Sequence, residues 1–349
     1  MRFFPTDITA AIVAHNARGY LAECLASLRD AGCPDEQILV VDVASTDGLV
    51  DWLAHERPAI EVVRLARNDG PSPGRNVGIR HRETRYVLLL DADVQLEPDA
   101  VRILHEAMEA DPSVAIGSPI VVRAEAPETI QYADTALHYI CEAVNPYLDA
   151  PLASRGDDWR RIRVASTCAL LLRRSMALHI GPFDERYFIG KEDGDFTHRA
   201  ILAGHTILEI PSARVRHRSK PRSDWLFYYQ IRNRWHFMLK NYELWTLVVI
   251  APPLVLHELL QAALLVAKGH LVTYLKAVGG LVALLPVLPE DRELATRIRV
   301  VHDRDVLVSG SFIVRSDLAG GPLRFLLRSY AAVLTAYWRI ARHLLPGRS

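Results

Sequence analysis

The sequence predicts an α/β chain: a mostly parallel sheet with helices on both faces, followed by a helical C-terminal region. Three observations predict it. Strand-like and helix-like segments alternate from Asp7 to about Leu90, as they do in βα units of a parallel sheet. The runs Ile38-Leu39-Val40-Val41 and Val87-Leu88-Leu89-Leu90 are apolar throughout, as strands covered on both faces are. After about Trp225 the alternation gives way to long apolar and amphipathic stretches. The expected division is a first domain over 1–222 and a helical region over 223–349.

In chain order, 8–14 is a strand, 20–28 a helix by its apolar spacing, and 37–43 a second strand. A short helix follows at 49–53, a strand at 60–65, a helix at 73–82 and a strand at 86–90. Ser72 suits the N-cap of the helix at 73–82, with Pro73 at its first position. A helix at 98–108 leads to a strand near 114–122. The stretch 124–160 is polar, irregular and rich in Tyr and Pro, which suits a substrate-facing insertion; regular structure resumes at 163–173.

The C-terminal region is apolar without a clean span. The segment 244–256 carries no charge, but it contains Pro252-Pro253 and runs into His257 and Glu258. It falls short of the roughly 20 residues that cross a bilayer. The segment 271–288 is interrupted by Lys276, Gly279-Gly280 and Pro286. In 322–345, Arg324, Arg328, Arg339 and Arg342 are interleaved with Phe325, Tyr330, Tyr337 and Trp338. That pattern suits a helix lying at a membrane surface; a helical subdomain packed on itself or on a partner is the alternative.

Composition narrows the classes of function. At 349 residues the chain can bury a large core, and 41 Lys plus Arg balance 41 Asp plus Glu. A neutral chain is not a general nucleic-acid binder. Cys24, Cys33, Cys141 and Cys168 show no CxxC spacing and read as reduced structural thiols. The first residues lack the apolar segment and cleavage site of a signal peptide, so the expected location is cytoplasmic.

The chemistry begins at Leu88-Leu89-Leu90-Asp91-Ala92-Asp93. Alternation along a strand aims Asp91 and Asp93 the same way, at the carboxyl edge where open α/β sheets bind ligands. Two convergent carboxylates suit a hard divalent cation that also holds a diphosphate; a solvated turn is the other reading. The second strand ends at Asp42, followed by Ser45-Thr46-Asp47-Gly48. Asp42 suits a hydrogen bond from the imide or ribose of a nucleotide, and Ser45 or Asp47 suits a helix cap. In Asn68-Asp69-Gly70-Pro71-Ser72-Pro73-Gly74-Arg75-Asn76, helix-start N–H groups beside Arg75 suit a diphosphate, or else an ordinary capped helix.

A second acidic group opens the helix expected at 195–202: Glu192-Asp193-Gly194-Asp195, preceded by Phe183, Tyr187 and Phe188. The helix dipole favours ionised carboxylates there, and a general base works in its ionised form. Capping is the structural alternative. In Arg214-Val215-Arg216-His217-Arg218-Ser219-Lys220-Pro221-Arg222, a neutral imidazole at His217 can complete a carboxylate-held metal site; a solvated basic face is the alternative.

Taken in order, these pieces resemble the family-2 inverting glycosyltransferases of GT-A fold over roughly 7–220. The matching pieces are Asn16 after the first strand, Val41-Asp42 with Ser45-Thr46-Asp47-Gly48, Gly74-Arg75-Asn76-Val77-Gly78, Asp91-Ala92-Asp93, and Phe183-Asp184-Glu185 leading to Glu192-Asp193-Gly194-Asp195. Tyr228-Tyr229-Gln230-Ile231-Arg232-Asn233-Arg234 resembles the segment after the catalytic domain in bacterial rhamnosyltransferase-like members.

The resemblance implies a nucleotide-diphospho-sugar donor, contacted by Asn16, Asp42, Asp47, Arg75 and Asp91. It implies Mg2+ or Mn2+ on Asp93, Asp91 and His217, and Asp193 as the base that deprotonates an acceptor hydroxyl. Glu192, Asp195 and Asn76 would support them. A glycan or lipid-linked sugar acceptor in envelope glycan assembly, met at the inner face of the cell membrane, follows as an expectation. Val43 stands where members often have Asn. Gln230 is one residue too far from Arg234-Trp235 for the Gln-x-x-Arg-Trp motif of processive synthases. A sugar-1-phosphate nucleotidyltransferase would need a glycine-rich loop where Ala14-His15-Asn16-Ala17-Arg18-Gly19 stands. A non-catalytic, membrane-docked nucleotide-sugar binder is the remaining alternative.

Overall fold

The structure, a computed structural model, describes residues 4–218, 223–311 and 321–347. Positions 219–222 of the basic run and the side chain of Arg324 lie outside the described residues. The chain divides into two units: 1–134, 147–200 and 205–221 in the first, and 135–146, 201–204 and 222–349 in the second.

The first unit opens with β1 (Ile8–Ala14), α1 (Arg18–Asp30), β2 (Ile38–Val43), α2 (Leu49–Glu56), β3 (Glu61–Leu65), α3 (Pro71–Arg80) and β4 (Tyr86–Asp91). Every residue of β1 and β2 is buried, as the continuous apolar runs require. β3, β2, β1 and β4 pair in parallel in that spatial order, the right order for βα units. Then come β5 (Val94–Leu96), α4 (Ala100–Ala110), β6 (Val114–Arg123) and β7 (Ala126–Tyr132). The second unit contributes β8 (Ala136–Leu137) and β9 (Ala143–Val144), a small antiparallel pair. The first unit continues with β10 (Arg160–Arg161), β11 (Ala169–Arg173), α5 (Arg174–His179), α6 (Glu192–Leu202) and β12 (Thr206–His217).

The full sheet is mixed. β11 lies antiparallel between β4 and β6, β12 runs parallel to β6, and β5 and β7 attach antiparallel to β12 and β6. The stretch expected to be irregular, 124–160, therefore contains a seven-residue strand, β7. Its residues Pro127, Glu128 and Gln131 dilute the alternation that marks a strand.

Helix α3 begins two residues earlier than expected. Gly70 is its N-cap at φ 90° and Pro71 its first residue, so Ser72 lies inside the helix and not at its cap. A Cβ at Gly70 would stand 2.1 Å from the carbonyl oxygen of Phe188. Only glycine fits both that backbone state and that approach.

The second unit is helical: α7 (Leu226–Asn241), α8 (Leu244–Ala267), α9 (Leu271–Val282), α10 (Leu288–Ile298), α11 (Asp303–Val306) and α12 (Gly321–Ala341). The apolar segment expected to stop near residue 256 instead belongs to a continuous 24-residue helix. Two local solutions let α8 continue. Pro253 has no N–H for the carbonyl of Val249, and the Tyr337 hydroxyl donates to that carbonyl instead, at 2.5 Å. Glu258 accepts from buried Arg234, from Trp235 Nε1 at 2.8 Å and from the Tyr274 hydroxyl at 3.2 Å, so its charge stays satisfied inside the bundle. By length and composition alone, Leu244–Ala267 and Leu271–Ile298 are long and apolar enough to cross a membrane.

Candidate active site

The carboxyl edge of the parallel strands gathers the acidic residues. The β1–β2 register pairs Ala14 with Asp42, and the β1–β4 register pairs Val13 with Asp91. Asp42 and Asp91 thus stand at one edge, two strands apart. Backbone strain concentrates there as well. Asn16 at φ 48° and Ala44 at φ 53° turn the chain away from β1 and β2, and Lys191 at φ 75° turns it into α6. These are left-handed states that non-glycine residues avoid unless the surroundings hold them.

Asp91, Asp93 and His217 form one cluster, their ligand atoms all within 4.8 Å of one another. The β5–β12 ladder builds it. His217 pairs with Val94, and the Arg218 N–H donates to the Asp93 carbonyl at 3.1 Å, which sets the imidazole beside the carboxylate. His217 Nε2 lies 3.5 Å from Asp93 Oδ1, and Nδ1 lies 3.0 Å from the Gln131 side-chain oxygen. Burial opposes a charge on His217, but Asp93, Asp91 and Glu125 outweigh it and raise the imidazole above its ordinary value. Burial likewise raises Asp91, with Arg75 pulling against it and Asp93 adding to the rise.

Two carboxylates and an imidazole suit Mg2+ or Mn2+. Asp91, Asp93 and His217 would hold such an ion, which when bound would supply a Lewis acid for phosphate oxygens.

Arg75 links this cluster to the start of α6. Its guanidinium is buried, donates from Nη2 to both Asp91 oxygens at 2.9 and 3.3 Å, and sets Nη1 3.6 Å from Glu192. The Asp91, Glu192 and Asp193 charges hold it above its ordinary value despite burial. Burial and the neighbouring Asp193 charge push the Glu192 carboxyl up to about 7, against the pull of Arg75. Asp193 is half-buried, with Oδ1 accepting the Gly194 N–H at 2.7 Å. Asp91, Glu192 and Asp193 therefore share one buried guanidinium, with Asp93 beside Asp91. The site is short of positive charge, which a divalent cation would supply.

Other expected site residues sit in framework roles. Asp47 accepts the Arg18 and Leu49 N–H groups at 2.9 and 3.2 Å from just outside α2, whose N-cap is Gly48. Asn16 accepts the Thr46 N–H at 2.8 Å and donates its own N–H to Ser45 Oγ at 2.9 Å, tying together the turns after β1 and β2. Asn76 bonds both the N–H and the carbonyl of Phe183, and donates to Glu185 at 2.7 Å. It pins the segment that leads to α6. Asp195 is fully buried against Arg199, 3.0 Å away, and Arg199 in turn donates to the Ile180, Gly181 and Pro182 carbonyls.

Asp42 is different. Its carboxylate is buried; Oδ1 accepts the Ser45 N–H at 3.0 Å, and Oδ2 has no hydrogen-bond partner among the described residues. Only the Arg64 guanidinium, 3.3 Å away and more than half exposed, stands over it. This buried oxygen at the sheet edge is thus met by an ion pair and not by a hydrogen bond among the described residues.

Arg64, Gln131 and the Arg75–Glu192 contact were not foreseen from sequence. Arg64 follows from the β2–β3 register, which pairs it with Asp42; the strand assignment alone carried that signal.

Residues 9–178 match the family model "Glycosyl transferase family 2". The chain is 28% identical over 149 residues to the putative teichuronic acid biosynthesis glycosyltransferase TuaG of Bacillus subtilis, covering 39% of this chain and 59% of TuaG. It thus spans less than two thirds of that relative's length. It is 26% identical over 234 residues to the N-acetylglucosaminyl-diphospho-decaprenol L-rhamnosyltransferase of Mycobacterium tuberculosis, covering 61% of this chain and 76% of the relative. Among solved structures, S. aureus TarS 1-349 superposes with TM-score 0.52 at 17% identity, covering 96% of this chain and 90% of TarS. GalNAc-T7, solved with UDP, GalNAc and Mn2+, superposes with TM-score 0.55 at 16% identity, covering 68% of this chain and 48% of that one. At such identities the structural likeness speaks to the fold, which is GT-A.

Proposed function

Residues 9–178 make up a family-2 glycosyltransferase domain, and from that premise we propose that the chain moves a sugar, with inversion, from a nucleotide-diphospho-sugar to an acceptor hydroxyl in bacterial envelope glycan assembly. Residues 1–222 are the catalytic domain in this reading, and 223–349 a helical region that associates with the cytoplasmic face of the membrane. One observation carries the proposal: the Asp91–Asp93–His217 cluster is joined through Arg75 to the Glu192–Asp193 helix start.

In this reading Asp42 accepts a hydrogen bond from a base N–H or a ribose O–H of the donor. Asp91, Asp93 and His217 would hold Mg2+ or Mn2+, and that ion when bound supplies Lewis-acid relief of charge on the departing diphosphate. Arg75 favours the ionised form of Asp91 against burial and aims it. Asp193 takes the proton of the acceptor hydroxyl as that oxygen attacks the anomeric carbon. A single base, with no enzyme nucleophile on the opposite side, gives inversion. The GalNAc-T7 neighbour, with its UDP and Mn2+, supports the donor class. The decaprenol-linked acceptor named for the mycobacterial relative supports a lipid-linked one.

The membrane reading draws on α8, α9 and α12. Their exposed faces carry Leu259, Val272, Leu275, Phe325, Val333 and Ile340, beside exposed Lys268, Lys276, Arg328 and Arg339. Apolar side chains flanked by cations fit a bilayer surface.

The test is a transfer assay on the full chain with a panel of nucleotide sugars, the product's anomeric configuration being read by NMR. The expected product has the configuration opposite to the donor, forms only with Mg2+ or Mn2+, and disappears on chelation. A retained configuration removes the single-displacement step. Transfer that survives chelation removes the metal.

A further inference from the structure

His217 has two acceptors competing for its ring protons. Asp93 lies on the Nε2 side at 3.5 Å, and the Gln131 side-chain oxygen lies on the Nδ1 side at 3.0 Å. A neutral imidazole carries one proton, and the acceptor it meets decides which nitrogen keeps it. Left to Asp93 alone, the proton would sit on Nε2, and the nitrogen facing Asp91 and Asp93 would have no lone pair to offer. A proton on Nδ1 would be accepted by Gln131 and would leave Nε2 its lone pair.

The sheet positions that contact. Gln131 is 4% exposed and is the extra residue at a register shift of β7, between Ile130 and Tyr132, which pair with the consecutive Val122 and Val121 of β6. β6 in turn pairs with β12, where Arg123 stands opposite His217. The two side chains thus reach each other across the central strand of a three-stranded ladder. Histidine ligands elsewhere are oriented in the same way, by an acceptor on the nitrogen that does not bind the ion.

We propose that Gln131 is a positioning residue that holds His217 as the Nδ1–H tautomer, so that Nε2 completes a cation site with Asp91 and Asp93. The inference rests on the reading of that cluster as a cation site. No chemistry is asked of Gln131 itself.

The experiment uses the full chain with Mn2+ and uridine diphosphate as probes. It reads Mn2+ affinity by EPR titration and imidazole ligation by pulsed EPR, with His217→Gln as the imidazole-free reference. The wild type is expected to show 14N coupling absent from the reference. Gln131→Leu should lose that coupling and weaken Mn2+ binding about tenfold, the scale on which such outer partners act. Gln131→Met, which also lacks an acceptor, makes the same comparison if the leucine variant does not fold. Gln131→Glu keeps an acceptor and should restore both readouts. Unchanged coupling and affinity in the acceptor-free variants would overturn the role of Gln131 while leaving the cation site standing. Loss that Gln131→Glu fails to restore would also overturn it, assigning the effect to damage in β7. A wild type indistinguishable from His217→Gln would overturn the cation site's histidine, and this inference with it.

Discussion

Replacing Glu192 by Gln is expected to stabilise the metal-free protein at pH 8 and to flatten its stability between about pH 4.5 and 7. Glu192 is 8% exposed, its Oε2 has no hydrogen-bond partner among the described residues, and the nearest Arg75 nitrogen is 3.6 Å away. Its carboxyl is raised from 4.5 to about 7 by burial and by Asp193. Between those values the folded protein holds a proton that the unfolded chain has released. Stability contributed by that proton is complete below 4.5 and is lost as pH rises through 7. At about 1.4 kcal/mol per pH unit the loss comes to about 3 kcal/mol. Glutamine is neutral in both states and escapes it. Urea unfolding followed by tryptophan fluorescence at pH 4.5, 6 and 8 measures this directly. The variant should match the wild type at the lowest pH and exceed it by about 3 kcal/mol at the highest. Parallel pH profiles for the two proteins would refute the reasoning.

Other perturbations have definite outcomes. Arg75→Met leaves the Asp91 and Glu192 carboxylates without their shared countercharge and should cost about 3–5 kcal/mol, the range for breaking a buried ion pair from one side; a melting point within about 2 °C of wild type would contradict it. Asn76→Ala removes three hydrogen bonds to Phe183 and Glu185 and should cost about 3 kcal/mol, with faster hydrogen exchange at the Phe183 amide; unchanged exchange there would count against its pinning role. Tyr337→Phe strips the Val249 carbonyl of its donor and should destabilise the helical unit by about 1 kcal/mol in urea unfolding. The full chain should co-sediment with vesicles containing phosphatidylglycerol and not with purely zwitterionic ones, and Arg328→Glu with Arg339→Glu should weaken that binding. Equal binding to both vesicle types would remove the electrostatic part of the membrane reading.

Much of the first unit was readable because its signals are local. The apolar runs of β2 and β4 declare buried parallel strands, and Asp91 and Asp93 announce themselves at the end of one of them. What escaped depends on contacts distant in sequence. The true start of α3 is set by the Phe188 carbonyl pressed against Gly70, a constraint that Ser72-Pro73 cannot reveal. α8 continues past Pro252-Pro253 because Tyr337, 88 residues from Val249, supplies the missing donor. Gln131 sits in a polar strand whose pattern looks like loop, so its approach to His217, 86 residues on, had no sequence signature. Arg75 read as a diphosphate contact; in the fold it is engaged by Asp91 and lies beside Glu192, an arrangement visible only once α6 is in place.

The most direct measurement separates donor binding from transfer in two variants, Asp93→Ala and Asp193→Asn. Calorimetry with a nucleotide-diphospho-sugar and Mn2+ reads binding, and product formation reads transfer. The account predicts that Asp93→Ala loses Mn2+-dependent binding together with transfer, whereas Asp193→Asn binds the donor like the wild type and transfers at least about a hundredfold more slowly, the contribution of a general base. Wild-type transfer by Asp193→Asn, or undiminished Mn2+-dependent binding by Asp93→Ala, would contradict it.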